Sequence, residues 1–161
     1  MRNRLGFGPA WLALAAALAL HVTDEALTGF LDVYNPTAVA IRERLPWLLL
    51  PIFRFDVWLA GLIGGILLLA VLAPAAFHGN RYLRRAGYAL AVLMLANGGS
   101  HILATVAVRS VAGVRFPRPM PGFWSSPLLI AASLWLLFSL RSSARKAAAA
   151  PPPRTEIPAP D

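Results

Sequence analysis

The sequence predicts an all-α fold: a four-helix transmembrane bundle with a short interfacial helix and a disordered C-terminal tail. Three observations predict it. Of 161 residues, 58% are hydrophobic and 14% charged, whereas a soluble domain is nearer half apolar and a quarter charged. The apolar residues fall into four near-uncharged stretches. Each is long enough to cross a bilayer, since ~20 residues at ~1.5 Å rise span ~30 Å of hydrocarbon. The basic residues behind the net charge of +8 lie between and beyond those stretches. They read as membrane flanks that face anionic headgroups, and not as a nucleic-acid patch.

The first predicted helix covers about residues 9–30. Arg2 and Arg4 followed by the run Trp11 to Leu20 mimic a secretory signal, and Ala13-Leu14-Ala15 resembles a small-residue cleavage site. A retained helix fits better, because those alanines lie inside the apolar run and the helical pattern continues through His21, Asp24 and Glu25. Asn35-Pro36 then predicts the start of a short interfacial helix over Thr37 to Leu45, with Asn as cap and Pro in the first turn, stopped by Pro46. The second span is predicted over 47–73, the third over 86–108 and the fourth over 122–140. Between the second and third lies a loop with Arg81, Arg84 and Arg85, and between the third and fourth a basic loop with Arg109, Arg115 and Arg118. Residues 141–161 are basic, then Ala-rich and Pro-rich, and predict a disordered cytoplasmic tail. With both ends in the cytoplasm, the inner side holds nine Lys and Arg and the outer side five. The positive-inside bias therefore points to an N-in/C-in protein of the cell's inner membrane.

There are no cysteines, which excludes disulfides, thiolate zinc sites, iron–sulfur clusters and cysteine nucleophiles. Any metal must use His, carboxylate or carbonyl ligands. Polar side chains are costly in hydrocarbon, so their positions carry information. His21, Asp24 and Glu25 share one face of the first helix, and Thr28 and Asp32 continue that stripe. Asn97 and His101 share a face of the third, with the small residues Gly98, Gly99 and Ser100 between them. Arg54 and Asp56 lie near the start of the second. With helix centres near Leu20, Ala60 and Asn97, these groups all fall within ~8 Å of the midplane, in one outer-leaflet layer. The fourth helix begins at the same level with Pro121-Gly122 and Trp124-Ser125-Ser126. A single polar chamber open to the outer face explains the agreement.

Two chemistries suit such a chamber. His21, Glu25 and His101 supply two imidazoles and a carboxylate for a divalent metal, zinc or iron, with Asp24 as a further ligand or an orienting partner. Alternatively Glu25, Asp24 and His101 perform metal-free acid/base catalysis. Asn97, Asp56 and Gly122 are the supporting positions. Both readings describe an enzyme acting on a lipid-like or otherwise apolar substrate. The other class is a non-enzymatic membrane module, such as a small transporter, a proton relay or an assembly partner, whose polar groups are interhelical contacts. His78 reads as a solvated turn residue, and Ser125 and Ser126 as caps before Pro127. Trp11, Trp47, Trp58, Trp124 and Trp135 read as interfacial anchors or lipid-facing surface.

The segment His21-Val22-Thr23-Asp24-Glu25 resembles the motif of the HXXEE domain family, small bacterial multi-pass membrane proteins. Asn97-Gly98-Gly99-Ser100-His101 resembles that family's second-histidine segment, and Pro119-Met120-Pro121-Gly122 the end of its Tyr-x-Pro-Gly element. The resemblance covers about Pro9 to Leu140. Asp24 stands where the family has its first Glu, and Pro119 where it has Tyr. The resemblance implies a site centred on His21, Glu25 and His101, and brings no established activity with it.

Overall fold

The computed structural model describes residues 6–148. Among the described residues the structure is mostly helical, with one two-stranded hairpin and non-helical connecting segments. Five helices run in the order α1 (Phe7–Thr28), α2 (Phe30–Arg44), α3 (Phe55–Phe77), α4 (Arg81–Val106) and α5 (Ser126–Ala148). The strands β1 (Ser110–Val111) and β2 (Val114–Arg115) lie between α4 and α5 and pair antiparallel. Helices α1, α3 and α4 are long and apolar enough to cross a membrane, whereas the apolar part of α5, Ser126–Ser142, is shorter.

Boundaries differ from the sequence expectation wherever a local cap or a distant partner decides them. Gly29 ends α1 in a left-handed conformation, φ 77°, donating its N–H to the Glu25 carbonyl. The same residue precedes α2, so the polar stripe breaks there and Asp32 belongs to another helix. Asn35 does not cap a helix; it lies inside α2, as does Pro36. Its side-chain amide donates to the Phe53 carbonyl at 2.9 Å and accepts from the Phe53 N–H at 3.1 Å. That pair ties the non-helical segment 45–54 to α2, and α3 consequently starts at Phe55 instead of residue 47. Asn35→Ala removes both bonds. We expect a cost of about 1–3 kcal/mol, read as faster hydrogen exchange at Phe53 with little change in α1.

Asn80 caps α4, its side chain accepting from the Tyr82 and Leu83 N–H groups. Arg81, Arg84 and Arg85 therefore sit on the first turns of a helix and not in a loop. Helix α3 continues through Pro74 to Phe77, and exposed His78 closes the turn by donating from Nδ1 to the Pro74 carbonyl. Helix α5 begins at Ser126, after a turn over 121–125, and continues to Ala148. Residues 141–148 are thus helical and not disordered tail; their Ala, Arg and Lys are strong helix formers. The Pro-rich stretch 149–161 and the flanking Arg2 and Arg4 lie outside the described residues.

Helix α1 packs against α3 and α5, and α4 packs mainly against α5. The core between them is built from Leu14, Leu129, Leu136 and Leu140 with small Ala10, Ala17 and Ala91. Gly98 lets α4 approach closely, since a Cβ there would stand 3.2 Å from the Ser126 carbonyl oxygen and 3.1 Å from Ile130. Trp11 is a core residue and not an interfacial anchor; it is 3% exposed and its Nε1–H donates to the Leu69 carbonyl at 2.8 Å. Trp58 is buried as well, while Trp47 and Trp124 are exposed. By contrast α3 turns Leu67, Leu68 and Val71 outward, the surface expected of a helix facing lipid tails.

Candidate functional site

The polar residues of α1 and α4 meet in register. His21 and Glu25 lie three to four and seven to eight residues beyond the midpoint of α1. Asn97 and His101 lie at the same offsets beyond the midpoint of α4. Spacing by four residues keeps each pair on one helical face, so two pairs from separate helices face each other at matched heights. Among the described residues, His21, Glu25 and His101 form the one group of three potential metal ligands, all buried, with one donor atom from each within 4.8 Å of the others.

Glu25 is the hub. Its Oε1 lies 3.1 Å from His101 Nε2 and 3.6 Å from His21 Nε2. The two imidazole rings meet edge to face, with centroids 4.9 Å apart. His21 Nε2 also lies 3.0 Å from Asn97 Oδ1, and its Nδ1 lies 2.8 Å from Ser125 Oγ. The Ser125 hydroxyl donates to Asp24 Oδ2 at 2.8 Å, and the Ser125 N–H donates to the same oxygen at 2.9 Å. A hydroxyl has one hydrogen to give. With it directed at Asp24, the His21 Nδ1–H must donate to Ser125. His21 Nε2 then faces Asn97 Oδ1 and Glu25 Oε1.

Gly122 closes the group from above. Its φ is +80°, and a Cβ built there would stand 3.0 Å from Glu25 Cγ and His21 Cε1 and 3.1 Å from His101 Cε1. Only a residue without a side chain lets the backbone lie against all three ligands in that left-handed conformation. The loop is held in place by Thr105, one turn past His101, whose Oγ1 donates to the His101 carbonyl and accepts from the Met120 N–H. Beside Glu25 a cavity of about 350 Å³ opens between the end of α1, the start of α2 and the start of α3. Phe30, Phe53, Phe55 and Trp58 wall it, with Asp32 and Asn35 as polar lining.

The donor set is compatible with a divalent ion, two imidazoles and a carboxylate being ordinary ligands for zinc or iron, and its donor atoms lie within 4.8 Å of one another. The same atoms also pair directly, Glu25 with His101 at 3.1 Å and with His21 at 3.6 Å, so an ion would have to spread them apart. The chain Asp24–Ser125–His21 supplies the outer support that a ligating histidine commonly has. His101 departs from that pattern, because its Nδ1 is buried without a hydrogen-bond partner and its ring lies against Phe30.

Of the residues singled out in the sequence, His21, Asp24, Glu25, Asn97, His101 and Gly122 come together. Asp56 does not. It stands on the first turn of α3, ten residues from the midpoint Ile66, where its exposed carboxylate pairs with exposed Arg54 at 2.8 Å. The predicted depth assumed a helix from residue 47, and the non-helical segment removes that premise. Ser125 is the residue the sequence reading passed over. A serine ahead of a proline at a helix start has a capping use, and nothing local distinguishes a serine that reaches α1.

No family model, curated protein or solved structure matches this chain. The site therefore has to be read from its own chemistry.

Proposed function

We propose that this is a multi-pass protein of the bacterial inner membrane, N-in/C-in, with α1, α3, α4 and α5 as a four-span bundle. His21, Glu25 and His101 hold one divalent ion, zinc or iron, and the protein is an enzyme acting on a lipid-like substrate. The observation that carries this is the convergence of two imidazole nitrogens and a carboxylate oxygen in a buried site, with His21 oriented by Ser125 and Asp24. Such an ion would act as a Lewis acid toward a substrate oxygen. Glu25 would also hold or release a proton at Oε1, and Asp24 and Ser125 keep His21 Nε2 directed at the centre. The aromatic cavity beside Glu25 suits an apolar substrate with one polar group, which Asp32 and Asn35 would meet. The order of the His21–Glu25, Asn97–His101 and Pro119–Gly122 segments supports placing the chain in the HXXEE domain family.

A second reading is metal-free acid/base chemistry, favoured by the direct Glu25–His101 contact at 3.1 Å. Elemental analysis of the detergent-purified protein, incubated with zinc or iron(II) and then desalted, separates the two. The metal reading expects about one ion per chain, none in His101→Ala, and about 10–100-fold weaker binding in Ser125→Ala. A folded wild type that retains no ion excludes it and leaves the acid/base reading. Loss of fold in every polar variant without a bound ion would mark the network as structural.

A further inference from the structure

The loop between α4 and α5 carries three arginines that the site does not use. Arg109, Arg115 and Arg118 line one cleft of about 630 Å³ together with Ser110 and Phe116. All three are exposed, and none has an ion pair or a side-chain hydrogen bond among the described residues. The only ion pair of an arginine there is Arg54 with Asp56. Three like charges facing one cleft repel each other unless an anion sits between them. The guanidinium fork matches phosphate oxygens two at a time.

The cleft is built and not a loose tail. Ala112 and Gly113 both adopt positive φ, 52° and 94°, the geometry of a tight two-residue hairpin turn. Ser110 pairs with Arg115 across the hairpin, and the Phe116 N–H donates to the Arg109 carbonyl at 3.0 Å. Arg109, directly before β1, and Arg115, in β2, are thereby held on opposite arms of the hairpin. Half-buried Phe116 anchors the far end, and prolines on either side of Arg118 restrict its backbone.

Its height is set by α4. Val106, the last residue of that helix, lies twelve to thirteen residues beyond the midpoint, or ~19 Å at 1.5 Å per residue. The hydrocarbon ends ~15 Å from the midplane and the headgroup layer at ~20–22 Å. On the reading that α4 spans the bilayer, the arginines thus emerge in the layer of lipid phosphates. Arg118 is also four residues from Gly122, so their Cα atoms are at most ~14 Å apart, and Gly122 lies on the His/Glu centre.

We propose that Arg109, Arg115 and Arg118 form a binding site for the phosphate of an anionic membrane lipid, held at the headgroup level next to the polar centre. Native mass spectrometry of the detergent-purified chain tests this with phosphatidic acid and with diacylglycerol of the same acyl chains. Wild type should retain phosphatidic acid at least about tenfold better than diacylglycerol. The combined Arg109→Gln, Arg115→Gln and Arg118→Gln variant should lose that preference. The corresponding Arg→Lys variant should keep part of it, because charge remains without the fork. Replacing Arg81, Arg84 and Arg85 by Gln, at the opposite end of α4, should leave it intact. Equal retention of the two lipids by wild type, or a preference that survives the Gln variant, overturns the proposal. Displacement of the lipid by equimolar inorganic phosphate overturns the lipid as the source of the phosphate. Carbonate extraction of membranes separates these failures from failure of the spanning reading, since only the latter releases the chain. Metal content should be unchanged in the arginine variants.

Discussion

Glu25→Ala should destabilise the protein by about 3–5 kcal/mol, the usual cost of removing one partner from a buried charged pair. The carboxylate sits between two imidazoles that are themselves buried. Without it His101 has no partner at either nitrogen, because Nδ1 already has none. His21 Nε2 keeps only Asn97. Glu25→Gln keeps an acceptor oxygen and the side-chain volume, so its cost should be nearer ~1–2 kcal/mol. On the metal reading, both variants should also lose ion binding, because the charged ligand is gone in each. Thermal unfolding in one detergent, followed by tryptophan fluorescence, ranks them against wild type. If Glu25→Ala melts with wild type, Glu25 is not the hub of this site.

Gly122→Ala is the second large effect, and it acts without removing any functional group. An alanine at φ +80° pays about 1–2 kcal/mol for the left-handed conformation. Its Cβ would stand 3.0–3.1 Å from atoms of His21, Glu25 and His101, so the loop or the ligands must shift by some tenths of an ångström. The combined cost should be about 2–3 kcal/mol, and on the metal reading ion affinity should fall by about tenfold or more because all three side chains are displaced together. Gly64→Ala is the control. It lies within α3 with no atom within 4 Å of its Cβ position, and in a helix alanine is favoured over glycine by up to about 1 kcal/mol. A Gly122→Ala protein that melts like Gly64→Ala would mean that the backbone does not press on His21, Glu25 and His101.

The centre was legible in the sequence for a definable reason. Ionisable residues are rare within apolar helices, and a spacing of four puts two of them on one face. His21 with Glu25 and Asn97 with His101 satisfy both conditions using local information alone. Asp56 satisfied the first condition and failed, because its predicted depth assumed a helix from Trp47, whereas α3 begins at Phe55. Depth is also one coordinate of three. Rotation about the helix axis comes from packing, and Arg54 is the neighbour that packing leaves to Asp56. Trp11 failed in the opposite sense: an aromatic near a span end suggests an interface, yet α3 offers the Leu69 carbonyl to its indole N–H.

The sequence by itself determined the all-helical class, apolar helices long enough for a bilayer (four were expected, and three meet that length among the described residues), and the two polar pairs His21–Glu25 and Asn97–His101, since composition and helical period are properties of contiguous residues. The tertiary structure alone decided that Ser125 joins His21 to Asp24 across about a hundred residues of chain, that Asn35 holds Phe53, and that Gly122 lies on the centre. Those contacts depend on how separate helices are rotated and how closely they approach, and the close packing of the whole molecule sets both.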